Sequence, residues 1–407
     1  MIGMPCRIDL QPAASPTGAP LPEALAWIEG EIDSLRAAGL ERPARVREGR
    51  QSGEVCLDGR TLLNFGSNDY LGYAGDVRLT RAASKGSCAE GFGAGASPLV
   101  SGHSQAHDAL ERALAGLLGV EAALVFPSGY AANTATIAAL AGPDDFIASD
   151  ERNHASIIDG CRLSRARVGI YPHRDLAALD LLLTAARDAR RRLIVTDTLF
   201  SMDGTIAPLA GLCDVARKHA AMLLVDEAHA TGVFGDRGSG LVEETDTAGG
   251  VHVRVGTLSK ALGAAGGFVA GNAAFIHWLR HRARGWMFST AHPPGVAAAA
   301  TRAIALVAKE PERRHDLGMR AGDFIGRLRR AGVDIGGAET HIVPVIAGSP
   351  RAAVDLAEKL FDEGFFTPAI RPPSVPAGKS LVRVSLSWLH EPRDLARLAE
   401  ALAAHAR

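Results

Sequence analysis

Lys260 stands in Gly256-Thr257-Leu258-Ser259-Lys260-Ala261-Leu262-Gly263, downstream of the run Leu223-Leu224-Val225-Asp226-Glu227-Ala228-His229. An amine in a hydroxyl- and glycine-rich turn, a carboxylate closing an apolar run and a histidine three residues beyond it are the groups that pyridoxal 5′-phosphate needs. The lysine takes the aldehyde as a Schiff base, the pyridine nitrogen wants a charged carboxylate, and the phosphate wants small hydroxyls and backbone N–H groups. The chain therefore reads as an amine-chemistry enzyme that uses this cofactor.

Asp226 ends MLLVD, a run suited to a central parallel strand, so its carboxylate is expected at the carboxyl edge of the sheet, where open α/β sheets bind ligands. There it would keep a pyridine nitrogen protonated and make the ring an electron sink. His229 would point back toward the ring. His154 follows the strand-like run FIASD, and its imidazole face could lie on the ring or reach a substrate carboxylate or carbonyl. For the phosphate, VFPSGYAAN reads as strand, tight turn and helix start, placing Ser128 and the N–H groups of Gly129 and Tyr130 at the positive end of a helix. Thr257 and Ser259 add hydroxyls beside Lys260. No set of residues points to a metal.

Two other readings fail on spacing. The tetrapeptide Asp226-Glu227-Ala228-His229 could belong to a nucleotide-driven helicase. That requires a phosphate loop G-x-x-x-x-G-K-[ST], and the stretch Pro373 to Ser380 has proline where the first glycine must be. The run Gly91 to Ser97 has Ala96 in place of the third glycine of a dinucleotide fingerprint, with no strand before it.

Substrate needs an anion site of its own. Arg383 lies in LVRVSL, an alternating strand that puts it on one face with Leu381 and Ser385, where it could clamp an α-carboxylate bidentately. Asn68 could add an amide donor.

These groups require a sheet to hold them. Apolar runs near 122–126, 145–149, 166–170, 192–196, 221–225, 252–256 and 266–270 alternate with amphipathic stretches, the pattern of a mostly parallel sheet covered on both faces. At 407 residues the chain suggests a large domain with a smaller one attached. We expect an N-terminal helical segment over 1–60, a large cofactor-binding α/β domain over 61–290 and a small α+β domain over 291–407. A net charge of -1 gives no reason to expect nucleic acid or an anionic membrane. Five scattered cysteines without a C-x-x-C pair argue against a disulfide framework and make a reducing cytoplasm the simplest compartment. The first twenty residues lack a signal-peptide pattern and read as a flexible lead-in.

Eight stretches carry a resemblance: NFGSNDYLG (64–72), GFGAGASPLVSGHSQAHDALE (91–111), NHASIIDG (153–160), DTLFSMDGTIAPL (197–209), VDEAHATGVFG (225–235), GTLSKALGAAGG (256–267), FSTAHPP (288–294) and AIRPPSVPAG (369–378). In order, over roughly residues 60 to 390, they resemble the α-oxoamine synthases, a branch of the fold-type-I, aspartate-aminotransferase-like pyridoxal-phosphate enzymes. The resemblance implies a homodimer with its active site between subunits. It gives Lys260 the Schiff-base role, Asp226 the pyridine nitrogen, His154 the ring-stacking position and His229 the bond to the ring oxygen. Ser201 would orient cofactor or substrate, Asn68 and Arg383 would hold the carboxylate, and Thr290 would reach the phosphate of the partner subunit. Family members condense a small amino acid with an acyl thioester. SPLVSGHSQAHDALE, FSTAHPP and above all AIRPPSVPAG are similar to the branch that joins L-alanine to a pimeloyl group, carried on coenzyme A or on an acyl carrier protein. Ser374 stands where threonine is usual in the last motif and is counted with the substrate site. Trp388 and Leu389 stand where small residues usually precede His390. The alternatives are a glycine C-acetyltransferase, another α-oxoamine synthase, or a cofactor-binding regulator without catalysis, against which Arg383 speaks.

Overall fold

The computed structural model describes residues 22–42 and 44–406. The lead-in expected over the first twenty residues lies outside the described residues. The chain divides into two compact units, residues 1–44 and 45–407. Within the first, a 3-10 turn at Glu23–Leu25 precedes helix α1 (Trp27–Ala37), whose last turn is tied by Arg36 to Asp33 and Glu41.

The second unit is built on a seven-stranded sheet. Its strands follow β1 (Arg47–Glu48), β2 (Glu54–Leu57) and β3 (Arg60–Asn64), and are β4 (Ala122–Phe126), β5 (Phe146–Asp150), β6 (Arg167–Tyr171), β7 (Arg192–Asp197), β8 (Met222–Asp226), β9 (Val253–Thr257) and β10 (Gly267–Gly271). They lie in the order β4-β10-β9-β8-β7-β5-β6. Every pair is parallel except those that β10 makes with β4 and β9. The apolar runs are strands because both faces of the sheet are covered, and alternate side chains enter different cores. Leu223 and Val225 join one buried cluster while Leu224 joins another with Val253 and Val255. The pairing Asp197↔Asp226 brings two acids side by side at the carboxyl edge.

Residues 47–57, assigned from sequence to a helical segment, instead begin a second sheet. β2 and β3 form an antiparallel hairpin closed by Asp58 and Gly59, both at positive φ (53° and 73°). That geometry is the two-residue turn that Asp-Gly favours between alternating strands, and Gly59 adopts it without steric cost. The hairpin buries Val55, Leu57 and Leu62 against Phe361 and Phe366. β11 (Ile342–Gly348), β12 (Phe365–Phe366), β13 (Ala369–Ile370) and β14 (Ser380–Ser385) complete the strands. β12 extends the hairpin sheet, and β11, β14 and β13 form an antiparallel sheet of three.

Of the helices α2 (Val77–Glu90), α3 (Gln105–Leu118), α4 (Gly129–Leu140) and α5 (Ala155–Ser164), α3 and α4 pack on the strands of the large sheet and α5 packs on α4. The helix Pro294–Lys309, just past the expected boundary at 290, packs on α2 and α3. Trp388 is accommodated by stacking. The Arg313 guanidinium lies 4.2 Å from its ring and 4.4 Å from that of Tyr73, and the indole N–H donates to Asp316 at 3.3 Å.

Candidate active site

A cavity of about 210 Å³ opens at the carboxyl edge of β7, β8 and β9. Asp226, at the end of β8, is held at both carboxylate oxygens. Oδ1 accepts from the Ala228 N–H at 2.7 Å and Oδ2 accepts from Asn133 Nδ2 at 2.6 Å. Both oxygens therefore accept, which fixes the plane of the carboxylate. The side-chain amine of Lys260, in the turn after β9, has no hydrogen-bond or ion-pair partner among the described residues, while its carbonyl accepts from the Gly263 N–H at 2.8 Å. Burial lowers its amine to about 8, against the opposing pull of Asp226 and Asp197. A reactive amine needs to be available in its neutral form near physiological pH, and this environment provides it.

His229 is buried, and its Nδ1 lies 2.6 Å from the Tyr70 hydroxyl. Burial first, then the cationic neighbours Lys260 and Arg383, hold the imidazole well below its usual value, so it is neutral. His154 caps α5, its Nδ1 accepting from the Ser156 N–H at 3.2 Å and facing the Ser156 hydroxyl at 2.7 Å. Its backbone N–H donates to Asp197 at 2.8 Å. Loss of water around the ring outweighs the pull of Asp226 and lowers its pKa. The remaining ring surface is open.

At the other end of the cavity Ser128 caps α4, its hydroxyl accepting from the Ala131 N–H at 3.1 Å, and leaves the N–H groups of Gly129 and Tyr130 in the uncommitted first turn. β10 runs so close beneath this turn that a Cβ on Gly267 would come within 2.5 Å of the Gly129 nitrogen. Thr257 Oγ1 lies 2.8 Å from Ser259 Oγ, beside the same turn. The tests for pyridoxal phosphate are therefore met by this chain: a free amine, an acceptor-only carboxylate, a helix N-terminus with hydroxyls for a dianion, and an exposed imidazole face. Nine residues expected from sequence line the one cavity, and three further polar residues join them unanticipated: Asn133, Ser156 and Asp197. Asp197 ends RLIVTD just as Asp226 ends MLLVD, so its signal was the same. Burial, and then the neighbouring Asp226 carboxylate, raise Asp197 well above the usual carboxylate range.

The residues expected at the substrate lie outside the lining, and Arg383 and Asn68 connect to it through Tyr70 and His229. Arg383 is 5% exposed; its Nε donates to the Ser201 carbonyl at 2.6 Å and its Nη1 to Asn68 Oδ1 at 3.0 Å and Ser385 Oγ at 2.9 Å. Its Nη2 is buried without a partner. A buried, unsatisfied guanidinium nitrogen is costly unless an anion completes it. Asn68 Oδ1 also lies 3.0 Å from the Tyr70 hydroxyl, so Arg383, Asn68, Tyr70 and His229 form one hydrogen-bonded chain. Ser201 enters through its carbonyl rather than its hydroxyl. Thr290 and Ser374 are exposed, and neither lines the cavity.

The sequence pattern of the aminotransferase class I and II family matches residues 60–402. An 8-amino-7-oxononanoate synthase of Geobacter sulfurreducens is 47% identical over 379 residues, 92% of this chain and 97% of its own length. Among solved structures, a serine palmitoyltransferase from S. paucimobilis with bound PLP and myriocin superposes with a TM-score of 0.89 at 32% identity, covering 94% of this chain and 98% of its own. An 8-amino-7-oxononanoate synthase from Francisella tularensis gives a TM-score of 0.73 at 25% identity, covering 84% and 97%.

Proposed function

Because the chain belongs to the 8-amino-7-oxononanoate synthase family of pyridoxal-phosphate-dependent α-oxoamine synthases, we propose that it condenses L-alanine with a pimeloyl thioester. The products are 8-amino-7-oxononanoate, carbon dioxide and the free thiol, a step of biotin biosynthesis. The observation that carries this reading is the joint placement of Lys260, Asp226, His154 and His229 on one cavity linked to an arginine with an unsatisfied nitrogen.

Pyridoxal phosphate, when bound, supplies an electron sink for charge developing at the amino acid Cα. The residues that would hold it are Lys260, Asp226 at the ring nitrogen, His229 at the ring oxygen, His154 on the ring face, and Ser128, Gly129, Tyr130, Thr257 and Ser259 at the phosphate. Arg383 and Asn68 hold the alanine carboxylate and so orient its Cα. The Lys260 amine removes the Cα proton and later returns one, a role for which a value of about 8 is well matched. Neutral His154 donates from Nε2 to the thioester carbonyl oxygen as the new carbon–carbon bond forms.

The rest of the assembly belongs to the same proposal. A second copy would complete the site, with Thr290 reaching its phosphate; Ser374 is kept with the substrate residues. Among the described residues no helix is long and apolar enough to cross a membrane, and we place the enzyme in the cytoplasm. The alternatives, glycine with acetyl-CoA or serine with palmitoyl-CoA, are separated by thiol release from a panel of acyl-CoAs offered with alanine, glycine and serine. Alanine with pimeloyl-CoA should give the highest kcat/KM. Faster reaction of glycine with acetyl-CoA would overturn the substrate assignment while leaving the family intact.

A further inference from the structure

Asn133 lies on α4 one turn beyond Gly129, 0% exposed on a helix face buried with Ala132, Thr136, Ile137 and Leu140. Its Nδ2 carries two protons and makes two bonds, to Asp226 Oδ2 at 2.6 Å and to Ser156 Oγ at 2.9 Å. Its Oδ1 is buried with no partner. The opposite amide orientation would set an oxygen against the Asp226 carboxylate and is excluded by charge. Because the Ser156 hydroxyl accepts from Asn133, its own proton is free to go to His154 Nδ1 at 2.7 Å. The Ser156 N–H points to that same nitrogen. His154 Nδ1 is then an acceptor, and the ring proton sits on Nε2.

We propose that Asn133 is a positioning residue that sets the Asp226 carboxylate and the His154 tautomer together, through the directed chain Asp226 ← Asn133 → Ser156 → His154. This rests on the reading of Asp226 and His154 as cofactor-facing groups. One amide thus couples the group beneath the ring nitrogen to the group on the ring face, and the unpartnered Oδ1 is tolerated because both N–H donors are required. The ionisable groups around this chain are Asp226, Asp197, Lys260, His229 and Arg383. None of them can supply a neutral donor to both Asp226 and Ser156.

The test uses Asn133→Ala and Asn133→Ser in two preparations. In cofactor-free protein labelled with [15N]histidine, His154 should show an unprotonated Nδ1 in the wild type and a measurable Nδ1-protonated population in Asn133→Ala, where the Ser156 hydroxyl is free to turn and only the Ser156 N–H still opposes that tautomer, with Asn133→Ser, which keeps one donor, between them. In the holoenzyme, kcat should fall roughly tenfold or more in Asn133→Ala with little change in the KM for alanine. The pH midpoint of the visible absorption band should move by about one unit. A lowered melting temperature with unchanged tautomer and unchanged midpoint would make Asn133 merely structural and overturn the proposal. Wild-type protein that develops no visible band with added pyridoxal phosphate would sink the cofactor reading itself, and the histidine spectrum would still report on Asn133.

Discussion

Lys260→Ala is expected to leave the fold intact and to lower turnover by at least about a hundred- to ten-thousandfold, the range for loss of a positioned base. The larger figure is the better guide, because in the proposed site the same amine would also anchor the cofactor. No second lysine lines the cavity, so a neighbour cannot take over. Borohydride reduction of the wild-type holoenzyme followed by peptide mapping should mark Lys260, and the variant should show no marked peptide. The cofactor-free proteins give a second readout whose sign is fixed by linkage. The amine titrates at about 8 in the fold and near 10.4 in an unfolded chain, so between those values the unfolded state binds more protons. Wild-type stability therefore carries a charge-burial cost that is full below pH 8 and fades as the pH rises toward 10. The alanine variant has no such cost. Its melting temperature relative to wild type should be most favourable near pH 7 and decline steadily by pH 10. A difference independent of pH would mean that the amine is not desolvated.

Arg383→Ala should act on a different kinetic constant. With Nε and Nη1 committed within the protein, Nη2 is the nitrogen left for the carboxylate; a hydrogen bond between charged groups is worth about 1.5–3 kcal/mol, so kcat/KM for alanine should fall roughly 10- to 150-fold, mostly through KM. Binding of pyridoxal phosphate should change little, because Arg383 does not line the cofactor cavity. Arg383→Lys keeps the charge but loses the fork that bonds Ser201, Asn68 and Ser385 at once, and should recover only part of the loss. Unchanged alanine dependence in both variants would move the carboxylate site elsewhere.

The groups that could be read from the linear chain are those whose signal is local. Lys260 in its hydroxyl-rich turn and Asp226 at the end of MLLVD carry their context with them. The apolar runs of the large sheet were legible because strands buried on both faces are continuous in sequence. The hairpin at 54–64 was also legible in principle. Asp58-Gly59 between alternating runs is a strong turn signal, hidden here by the helical pattern just before it. Asn133 gave only the weak sign of an amide within an apolar helix. The chain from Arg383 through Asn68 and Tyr70 to His229 has two long-range links, Arg383–Asn68 at 315 positions and Tyr70–His229 at 159. Nothing local encodes such a contact; it exists only once the three sheets are assembled. The resemblance supplied a role for Thr290 that a single chain does not display, since it stands exposed and would act against a second copy; Ser374, counted with the substrate site, is likewise exposed and outside the cavity lining.

The most direct measurement follows the fate of the alanine carboxyl carbon. Holoenzyme given pimeloyl-CoA and L-[1-13C]alanine should release one 13CO2 and one free thiol per turnover, and the amino-ketone product should be unlabelled by mass spectrometry. Label retained in the product, or thiol released without carbon dioxide, would contradict the decarboxylative condensation assigned to this site.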